Sequence, residues 1–465
     1  MKRIFLIFSI SQFLILSLHA GGLMTNTNYH IAFDRMMARG ASFDIDAIYS
    51  NPAGLAWGHE GWQLSFNVQK PFQYRNVEAS LAAPYSAAVG FEQHKFEGKA
   101  TANPFVPALF ASYKHDKWAL GLMAGIVGSG GKVTYEEGVP QFVVPVRAMM
   151  SQIPGQINSA LPTGYPPVPA DFYDLDAYIQ GKQYIYGVQA AFTYRFNDHW
   201  SAAAGMRFNI YNGFSRGHVI ATTDNLVAVG ALGNREIMKL NLDVDQKGFG
   251  FCPILSVNYK LDRLVVAGRY EFRSKLNIPN DTKTLEIAAA PTLAATPQFA
   301  AARALAAPYQ DGVKTRYDMP ALLSLAVGYE FIPKKFRGTL EYHWFDDKRA
   351  KMIGDRQDEL KYGTQEVLVG LEYDINKTVT VSAGAQRTDY GLSDNYQSNT
   401  SFACDSYSVG FGAAFNVIKG LRVNVGYFCS IYKDYTRDTQ YMQIPTTETY
   451  SRTNHVVGIG IDYKF

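Results

Sequence analysis

Apolar and polar residues alternate one by one along most of this chain. In residues 62–68 every second position is large and apolar, and the positions between them are Gln, Ser and Asn. A period of two is typical of a β-strand that is apolar on one face. The pattern recurs and predicts about fourteen strands, at 61–72, 105–114, 117–128, 182–196, 199–215, 247–261, 263–277, 317–331, 335–348, 361–375, 378–392, 403–417, 420–435 and 452–465.

The connections between these strands alternate between short and long. The short ones are polar turns, for example 114–117, 197–199 and 417–420, and the longest connections span 129–181, 216–246 and 278–316. Short turns on one side and long loops on the other are typical of an outer-membrane barrel, with the short side in the periplasm. The sequence therefore predicts an all-β fold, a transmembrane antiparallel β-barrel of about fourteen strands over 59–465. An even strand count places both termini in the periplasm.

The first twenty residues have the pattern of a secretory signal peptide. Lys2 and Arg3 precede an apolar run from residue 4 to residue 18, and Ala20 provides a small residue at the cleavage site. The run is too short for a membrane helix, and no later stretch reaches about eighteen apolar residues. We therefore expect a leader at 1–20 and an exported mature chain.

Composition agrees with a barrel in the bacterial cell outer membrane. Aromatic residues make up 14% of the chain and charged residues only 18%, with 30 Tyr and 29 Phe. This balance is typical of strands that are apolar on one face only. The net charge of +3 argues against a nucleic-acid partner. Cys252, Cys404 and Cys429 give no disulfide framework, and we interpret them as small packing residues.

The segment 21–58 lacks a strand pattern and lies directly before the first strand. It contains Asn51, Pro52, Ala53 and Gly54. Pro52 fixes its own φ and moves Asn51 out of the helical region, while Ala53 and Gly54 allow close approach of two backbones. A turn between a short helix and a strand is one interpretation. A plug is the other, because a compact segment before a barrel can lie only in the lumen or below it.

Charged residues on the inward face of the predicted strands are candidates for contacts in the lumen. Alternation places these charges there together with Glu372, and seven of them are the candidates: Arg207, Arg269, Glu271, Arg273, Arg337, Glu341 and Arg422. Charges inside a barrel can line a water channel or hold a plug, and the mixture of signs favours the plug. An arginine also suits the carboxylate of a ligand.

No pattern for catalysis or metal binding is complete. Residues 128–132 are glycine-rich and end in Lys132, but the spacing of a phosphate-binding loop fails. We find neither a Gly-x-Ser-x-Gly nor a His-Glu-x-x-His pattern, so we expect no enzyme, no metal and no cofactor. The loops 129–181 and 284–307 are rich in apolar residues, which either pack over the barrel mouth or form a groove for a hydrophobic ligand.

Together, the leader, the motif 51–56, the fourteen strands and the terminal Phe465 resemble the FadL/TodX family of outer-membrane transport proteins. Substrates of that family are long-chain fatty acids and other hydrophobic molecules. The resemblance implies that residues 21–58 form a hatch inside the barrel, with Asn51, Pro52, Ala53 and Gly54 within it. It also implies a kinked third strand, here 117–128, where the substrate leaves sideways into the membrane; the candidate kink positions are Gly121, Gly125 and Gly128.

The function expected from this resemblance is uptake of long-chain fatty acids or other hydrophobic molecules. The implied partners are a hydrophobic small molecule and outer-membrane lipid, and the implied assembly is a monomer. A general porin or a structural or adhesive surface barrel is the alternative. The proline-rich stretch 129–181 does not correspond to a loop of the family, which leaves the surface binding site unassigned.

Overall fold

The computed structural model describes residues 24–26, 28–100, 105–295, 299, 303 and 306–465, and the predicted signal peptide lies outside them. Strands dominate the described part, in eighteen segments: β1 Gly61–Ser80, β2 Gln93–Ala100, β3 Val106–His115, β4 Trp118–Tyr135, β5 Asp174–Arg195, β6 Trp200–Thr222, β7 Glu236–Leu261, β8 Leu264–Glu271, β9 Asn277–Ala289, β10 Lys314–Arg316, β11 Leu322–Ile332, β12 Phe336–Phe345, β13 Gln365–Asp374, β14 Val379–Asp389, β15 Ser406–Ile418, β16 Leu421–Tyr432, β17 Tyr435–Tyr441 and β18 Ile444–Lys464.

The eighteen segments form fourteen wall strands. Four pairs of segments are interrupted halves of one wall strand each, because the two halves of a pair share at least one neighbouring wall strand: β2 with β3, β8 with β9, β10 with β11, and β16 with β17. Every pairing in the wall is antiparallel, and β1 pairs with β18 from Gln63 and Lys464 onward, which closes the sheet. The predicted fourteen-stranded antiparallel barrel is confirmed.

Several wall strands extend further from the short turns than the sequence predicts. The connection predicted at 129–181 shortens to 136–173, because β4 ends at Tyr135 and β5 begins at Asp174. The other two long connections shorten to 223–235 and 290–313. In these outer halves apolar and polar residues still alternate, but the apolar side chains now face the inside of the barrel. Val133, Ile179 and Val219 are examples, and all three are buried. A search for strands that are apolar on the outside misses them.

The connections on the side away from the short turns carry helices, and the longest of these helices closes the mouth of the barrel. The helices are α3 Tyr85–Val89, α4 Pro140–Ala160, α5 Leu226–Leu232 and α6 Pro291–Ala294. Side chains of α4, among them Phe142, Val146 and Met150, join a buried cluster with Phe96 and Tyr450 of the wall. The apolar residues of 129–181 are therefore packed inside the mouth. Among the described residues, no helix combines the length and the hydropathy needed to cross a membrane.

The outer surface of the wall carries the apolar face of the strands. Leu64, Phe66, Ile459 and Ile461 are each about half exposed on neighbouring strands β1 and β18. Trp62 pairs with Tyr113 at the short-turn end, where their rings lie 5.0 Å apart. Aromatic residues at the edge of an apolar band are the pattern of a barrel built for a lipid environment.

Candidate functional site in the lumen and the wall

The lumen of the barrel is filled by residues 28–58, which we call the lumen segment. It contains α1 Ile31–Met36, α2 Ala47–Ser50 and a 3-10 helix at Pro52–Trp57. All residues of α1 and α2 are buried, and α1 lies against the inner faces of β13–β16 and β18. The plug predicted from the sequence is present as a structured element.

Close contact between α1 and the wall depends on glycines. A Cβ atom on Gly384 would lie 1.9 Å from the carbonyl oxygen of Met36, and one on Gly410 would lie 2.3 Å from that of Asp34. The wall under α1 has further glycines that leave no room for a side chain, at Gly370, Gly412, Gly426 and Gly458. The helix therefore rests directly on the backbone of five neighbouring wall strands, β13–β16 and β18.

The Asn-Pro-Ala motif is fixed to polar inward side chains of β5, β6 and β7. Asn51 Nδ2 donates to Asn258 Oδ1 at 3.2 Å and to the Gly40 carbonyl at 3.2 Å. The backbone N–H of Ala53 donates to Ser256 Oγ at 2.9 Å. The motif thus ties the lumen segment to the wall and to itself.

Two further hydroxyls complete this attachment. Thr193 Oγ1 donates to the Pro52 carbonyl at 2.8 Å, and Ser201 Oγ donates to the Ala53 carbonyl at 2.8 Å. Gly54 has a steric role, because a Cβ there would lie 2.3 Å from the Ser42 carbonyl oxygen. The inward Ser, Thr, Asn and Gln of the alternating pattern therefore serve as partners of the lumen segment.

A first ionic cluster holds α1 to β12 and β13. Glu372 accepts hydrogen bonds from both Arg35 and Arg337, and Arg337 also pairs with Asp374 at 2.7 Å. Arg35 Nη1 donates to Ser382 Oγ at 2.7 Å as well. The side chains of Arg35 and Glu372 are each only 1% exposed, so this pair lies away from solvent.

A second cluster surrounds the turn after α1. Glu341 accepts from the backbone N–H groups of Arg39 and Gly40, at 2.9 and 2.8 Å. His343 lies between Glu341 and Glu366, at 2.7 and 2.9 Å. The carboxylate of Glu341 thus connects the wall to the turn that follows α1.

A third cluster lies under α2. Arg207 pairs with Glu271, and Arg269 pairs with the same carboxylate at 3.2 Å and donates to the carbonyl of Tyr49. Both guanidinium groups lie over the Tyr49 ring, at 5.9 and 5.7 Å from its centroid. This arrangement holds the end of α2 by a hydrogen bond and by cation–π contacts.

Five of the seven predicted inward charges therefore lie in these clusters, and two have other surroundings. Arg273 lies in the break between β8 and β9, where it donates to the carbonyl of Arg349 in a loop. Arg422 lines a pocket of about 370 Å³ on the short-turn side, together with Asp44. Its Nε and Nη2 atoms are buried without a hydrogen-bond acceptor among the described residues.

The lumen segment itself supplies two arginines that the sequence pattern does not single out. Arg35 and Arg39 are almost fully buried, and Arg39 Nε pairs with Asp46 at 2.6 Å. Alternation could not identify them because this segment has no strand period. The available signal is the apolar segment 31–39, which contains Asp34, Arg35 and Arg39. If such a segment is buried, its charged side chains need partners, because charged residues are almost never fully buried unless they are paired.

One buried carboxyl of α1 lacks a cation. Asp34 Oδ1 accepts a hydrogen bond from Gln69 at 2.6 Å, while Oδ2 has no partner among the described residues. Burial raises the pKa of Asp34 well above its usual range. The neutral form of this side chain is therefore the one that suits the docked position of α1.

One cavity beside the lumen segment is small. A cavity of about 40 Å³ separates the lumen segment from β8 and β11–β14, with Phe33, Tyr49, Leu322 and Phe345 among its lining residues. That volume suits a few water molecules, whereas ligand pockets measure about 300–1,000 Å³. A hydrophobic ligand could occupy this place only after the lumen segment moves.

The barrel wall is irregular at β4. β3 pairs with β4 as far as Leu109 and Ala124. Pairing resumes at Ala100 and Val133, where β2, the other half of the same wall strand, pairs with β4. On its other side, β4 pairs with β5 with bulges between residues 126 and 128 and between residues 129 and 131. Among the described residues, the stretch 125–128 therefore has no pairing with β3, although its pairing with β5 continues.

The three glycines expected to bend this strand differ in their surroundings. Gly121 faces the lumen, where a Cβ would lie 2.4 Å from Ile48. Gly125 is the first residue beyond the pairing with β3, and a Cβ there would lie 3.3 Å from that of Ala108. Gly128 follows the first bulge. Gly121 thus accommodates the lumen segment, and the other two lie at the irregular part of the strand.

The inner side of this irregular wall is apolar. Val106, Ile126 and Tyr184 form a buried cluster, and Tyr29 of the lumen segment packs against it. A larger cluster beside it contains Ile48, Leu55, Met123 and Val127 among other residues. The charged clusters lie on other strands, so the lumen is polar toward β6–β8 and β12–β13 and apolar toward β4.

Structures of this fold are known, although sequence comparison finds no relative. No protein-family model matches the chain, and no curated protein matches it in sequence. A FadL homologue of Pseudomonas aeruginosa has a TM-score of 0.62 at 17% identity, covering 96% of this chain and 100% of that chain. The toluene transporter TodX of P. putida has a TM-score of 0.56 at 14% identity, covering 91% and 94%. TbuX, the toluene transporter of Ralstonia pickettii, has a TM-score of 0.50 at 12% identity, covering 97% and 100%. The chain therefore has the fold of the FadL homologue and of TodX over nearly its whole length.

Proposed function

We propose that this protein is an outer-membrane channel for the uptake of hydrophobic molecules, which it releases sideways through the wall at β4. The observation that carries the proposal is the combination of a filled lumen with a stretch of β4, residues 125–128, that has no pairing with β3 in the described part of the wall. Solved structures with this fold are described as a FadL homologue and a toluene transporter. Both termini would then lie on the periplasmic side, with the short turns.

The distribution of polarity supports an apolar cargo. A molecule that enters from the mouth meets charge on one side of the lumen and the apolar cluster of Ile48, Leu55, Met123 and Val127 on the other. This cluster borders the irregular part of β4. An apolar molecule that follows it stays out of water from lumen to membrane, which favours this path by the hydrophobic effect.

The charged residues give less support for a specific headgroup. Arg207, Arg269 and Arg337 each already pair with a carboxylate of the wall. Arg422 has two buried nitrogen atoms without an acceptor among the described residues, against one each in Arg75 and Arg269, so it is the candidate for a ligand carboxylate such as that of a fatty acid. Long-chain fatty acids and smaller hydrocarbons both fit the apolar path.

A substitution in the wall tests the proposed exit. Gly125→Trp places a large side chain against Ala108, in the part of the wall without pairing to β3. We expect uptake of a radiolabelled fatty acid and of toluene by cells to be abolished, while membrane levels and ligand binding by the purified protein stay normal. Gly268→Trp on β8 is the matched control, since a Cβ there meets only ordinary contacts at 3.6 Å.

Two results would contradict the proposal. Normal uptake by the Gly125→Trp variant at normal membrane levels would rule out an exit at β4. Sugar permeation through the intact protein in liposome swelling would show an open aqueous lumen, and the general porin would then be the better description.

A further inference from the structure

Three cationic side chains surround one aromatic ring on the outer face of β4–β6, and a fourth lies nearby on β7. The Nζ atoms of Lys132 and Lys182 lie 6.0 and 5.1 Å from the centroid of Phe214, and the guanidinium of Arg216 lies 4.4 Å from it. Lys247 on β7 is the fourth cation, and it lies two residues from Asp245, the direct cross-strand partner of Phe214. We call these four residues the outer basic cluster.

The register of the strands brings these like charges together. Lys132 is the direct cross-strand partner of Lys182, and Lys182 is that of Phe214. Like charges directly opposite each other destabilise a sheet. A cluster of this kind is favourable only when an anion neutralises it.

The protein supplies only part of that neutralisation. Asp243 and Asp245 pair with Arg216, at 2.8 and 3.2 Å. No ion pair within 4.0 Å involves Lys132, Lys182 or Lys247 in the described part of the chain. Four cations and two carboxylates leave a local net charge of +2, carried by three lysines.

The position of the cluster along the wall indicates which anion is present. On the short-turn side of these lysines the outward residues become apolar, with Tyr186 and Val188 on β5, and Phe249 and Phe251 on β7. Phe249 is 64% exposed, two residues from Lys247. The lysines therefore border the edge of the apolar band that is further from the short turns, which in a membrane is the headgroup level of the outer leaflet.

We propose that the outer basic cluster binds the phosphate group of a membrane lipid. Lys132, Lys182 and Lys247 hold the phosphate, and the acyl chains lie along the exposed aromatic side chains of β7. Free phosphate would gain nothing from that apolar surface, so the charge and the apolar band together select a lipid. This binding is separate from the cargo of the channel and does not depend on it.

Two lipids that differ only in a phosphate group test the proposal. Purified full-length protein in detergent is mixed with dioleoyl phosphatidic acid or with dioleoylglycerol, and bound lipid is counted by native mass spectrometry. The variant Lys132→Gln/Lys182→Gln/Lys247→Gln should lose about tenfold or more in phosphatidic acid affinity. The control Lys117→Gln/Lys377→Gln/Lys419→Gln removes three exposed lysines near the short turns and should bind as the unmodified protein does. Heat-modifiable electrophoresis confirms folding, and Lys182→Gln alone serves if the triple variant does not fold.

Three results would overturn the proposal. Equal binding of phosphatidic acid by the cluster variant and the control would show that the lysines do not hold the lipid. Equal binding of dioleoylglycerol by the unmodified protein would show that the phosphate is not recognised. Displacement of phosphatidic acid by inorganic phosphate at equal concentration would show that the site takes free phosphate and not a lipid.

Discussion

At the scale of single residues, the lumen segment is held by buried charges with opposite charges beside them. Glu372 is shared by Arg35 and Arg337, and Glu271 is shared by Arg207 and Arg269. Removing one partner of a buried pair leaves an uncompensated charge, which costs about 3–5 kcal/mol. We infer that the clusters determine where the lumen segment docks more than they add to the free energy of docking.

Glu372→Gln should weaken the docking of α1 by about 3 kcal/mol. The substitution leaves Arg35 buried without a counter-charge, while Arg337 keeps Asp374. Arg35→Met should cost less, because Glu372 then retains Arg337. Urea-induced unfolding in detergent measures both. Equal stability of the Glu372→Gln variant and the unmodified protein would contradict the role assigned to this cluster.

Asp34 gives the docked lumen segment a dependence on pH. Burial raises the pKa of Asp34, so the folded protein keeps its proton at pH values where the unfolded chain has lost it. Stability from this residue is therefore complete below the unfolded pKa and declines as pH rises toward the folded pKa. Thermal midpoints of the unmodified protein should fall relative to those of Asp34→Asn as pH increases. Asp198→Asn in an exposed turn is the control, and parallel pH curves for all three proteins would contradict the assignment.

At the scale of elements, α1 and the glycine-lined wall beneath it fit each other without room for a side chain. Gly384→Val should displace α1, because its Cβ would overlap the carbonyl oxygen of Met36 at 1.9 Å. We expect a folded barrel with a protease-sensitive N-terminal segment, measured by limited proteolysis and heat-modifiable electrophoresis. Gly268→Val is the control, since it meets no close contact. Full protection of residues 28–58 in the Gly384→Val variant would show that the wall yields instead.

The sequence predicts some elements well and others poorly, for physical reasons. Alternation finds the lipid-facing halves of the strands, and it places Arg207, Arg269 and Glu341 inward, as the structure does. It misses the outer halves, because helix α4 turns the inside of the barrel apolar there. It also cannot find the bulges of β4, since a bulge depends on pairing with β5 and not on the strand itself.

At the scale of the whole molecule, the barrel is closed at two levels. Helix α4 packs inside the mouth, and the lumen segment fills the barrel below it. The wall closes on itself through β1 and β18, so one chain completes the barrel. In the proposed function, a molecule that crosses the barrel passes a first closure at α4 and a second at the lumen segment, where the cavity lined by Phe33 and Tyr49 holds only a few waters.

Deleting residues 24–57 should distinguish the contribution of the lumen segment from that of α4. The wall strands pair with each other and not with the lumen segment, so the barrel is expected to fold and to remain heat-modifiable. The deletion leaves the inward arginines and carboxylates of the wall facing water, and ion conductance in planar bilayers should rise from nearly none to stable open channels. If conductance stays near zero, α4 alone seals the mouth, and the further deletion of 141–159 should then open the channel. Conductance by the intact protein equal to that of the deletion variant would show that the lumen segment is not a barrier.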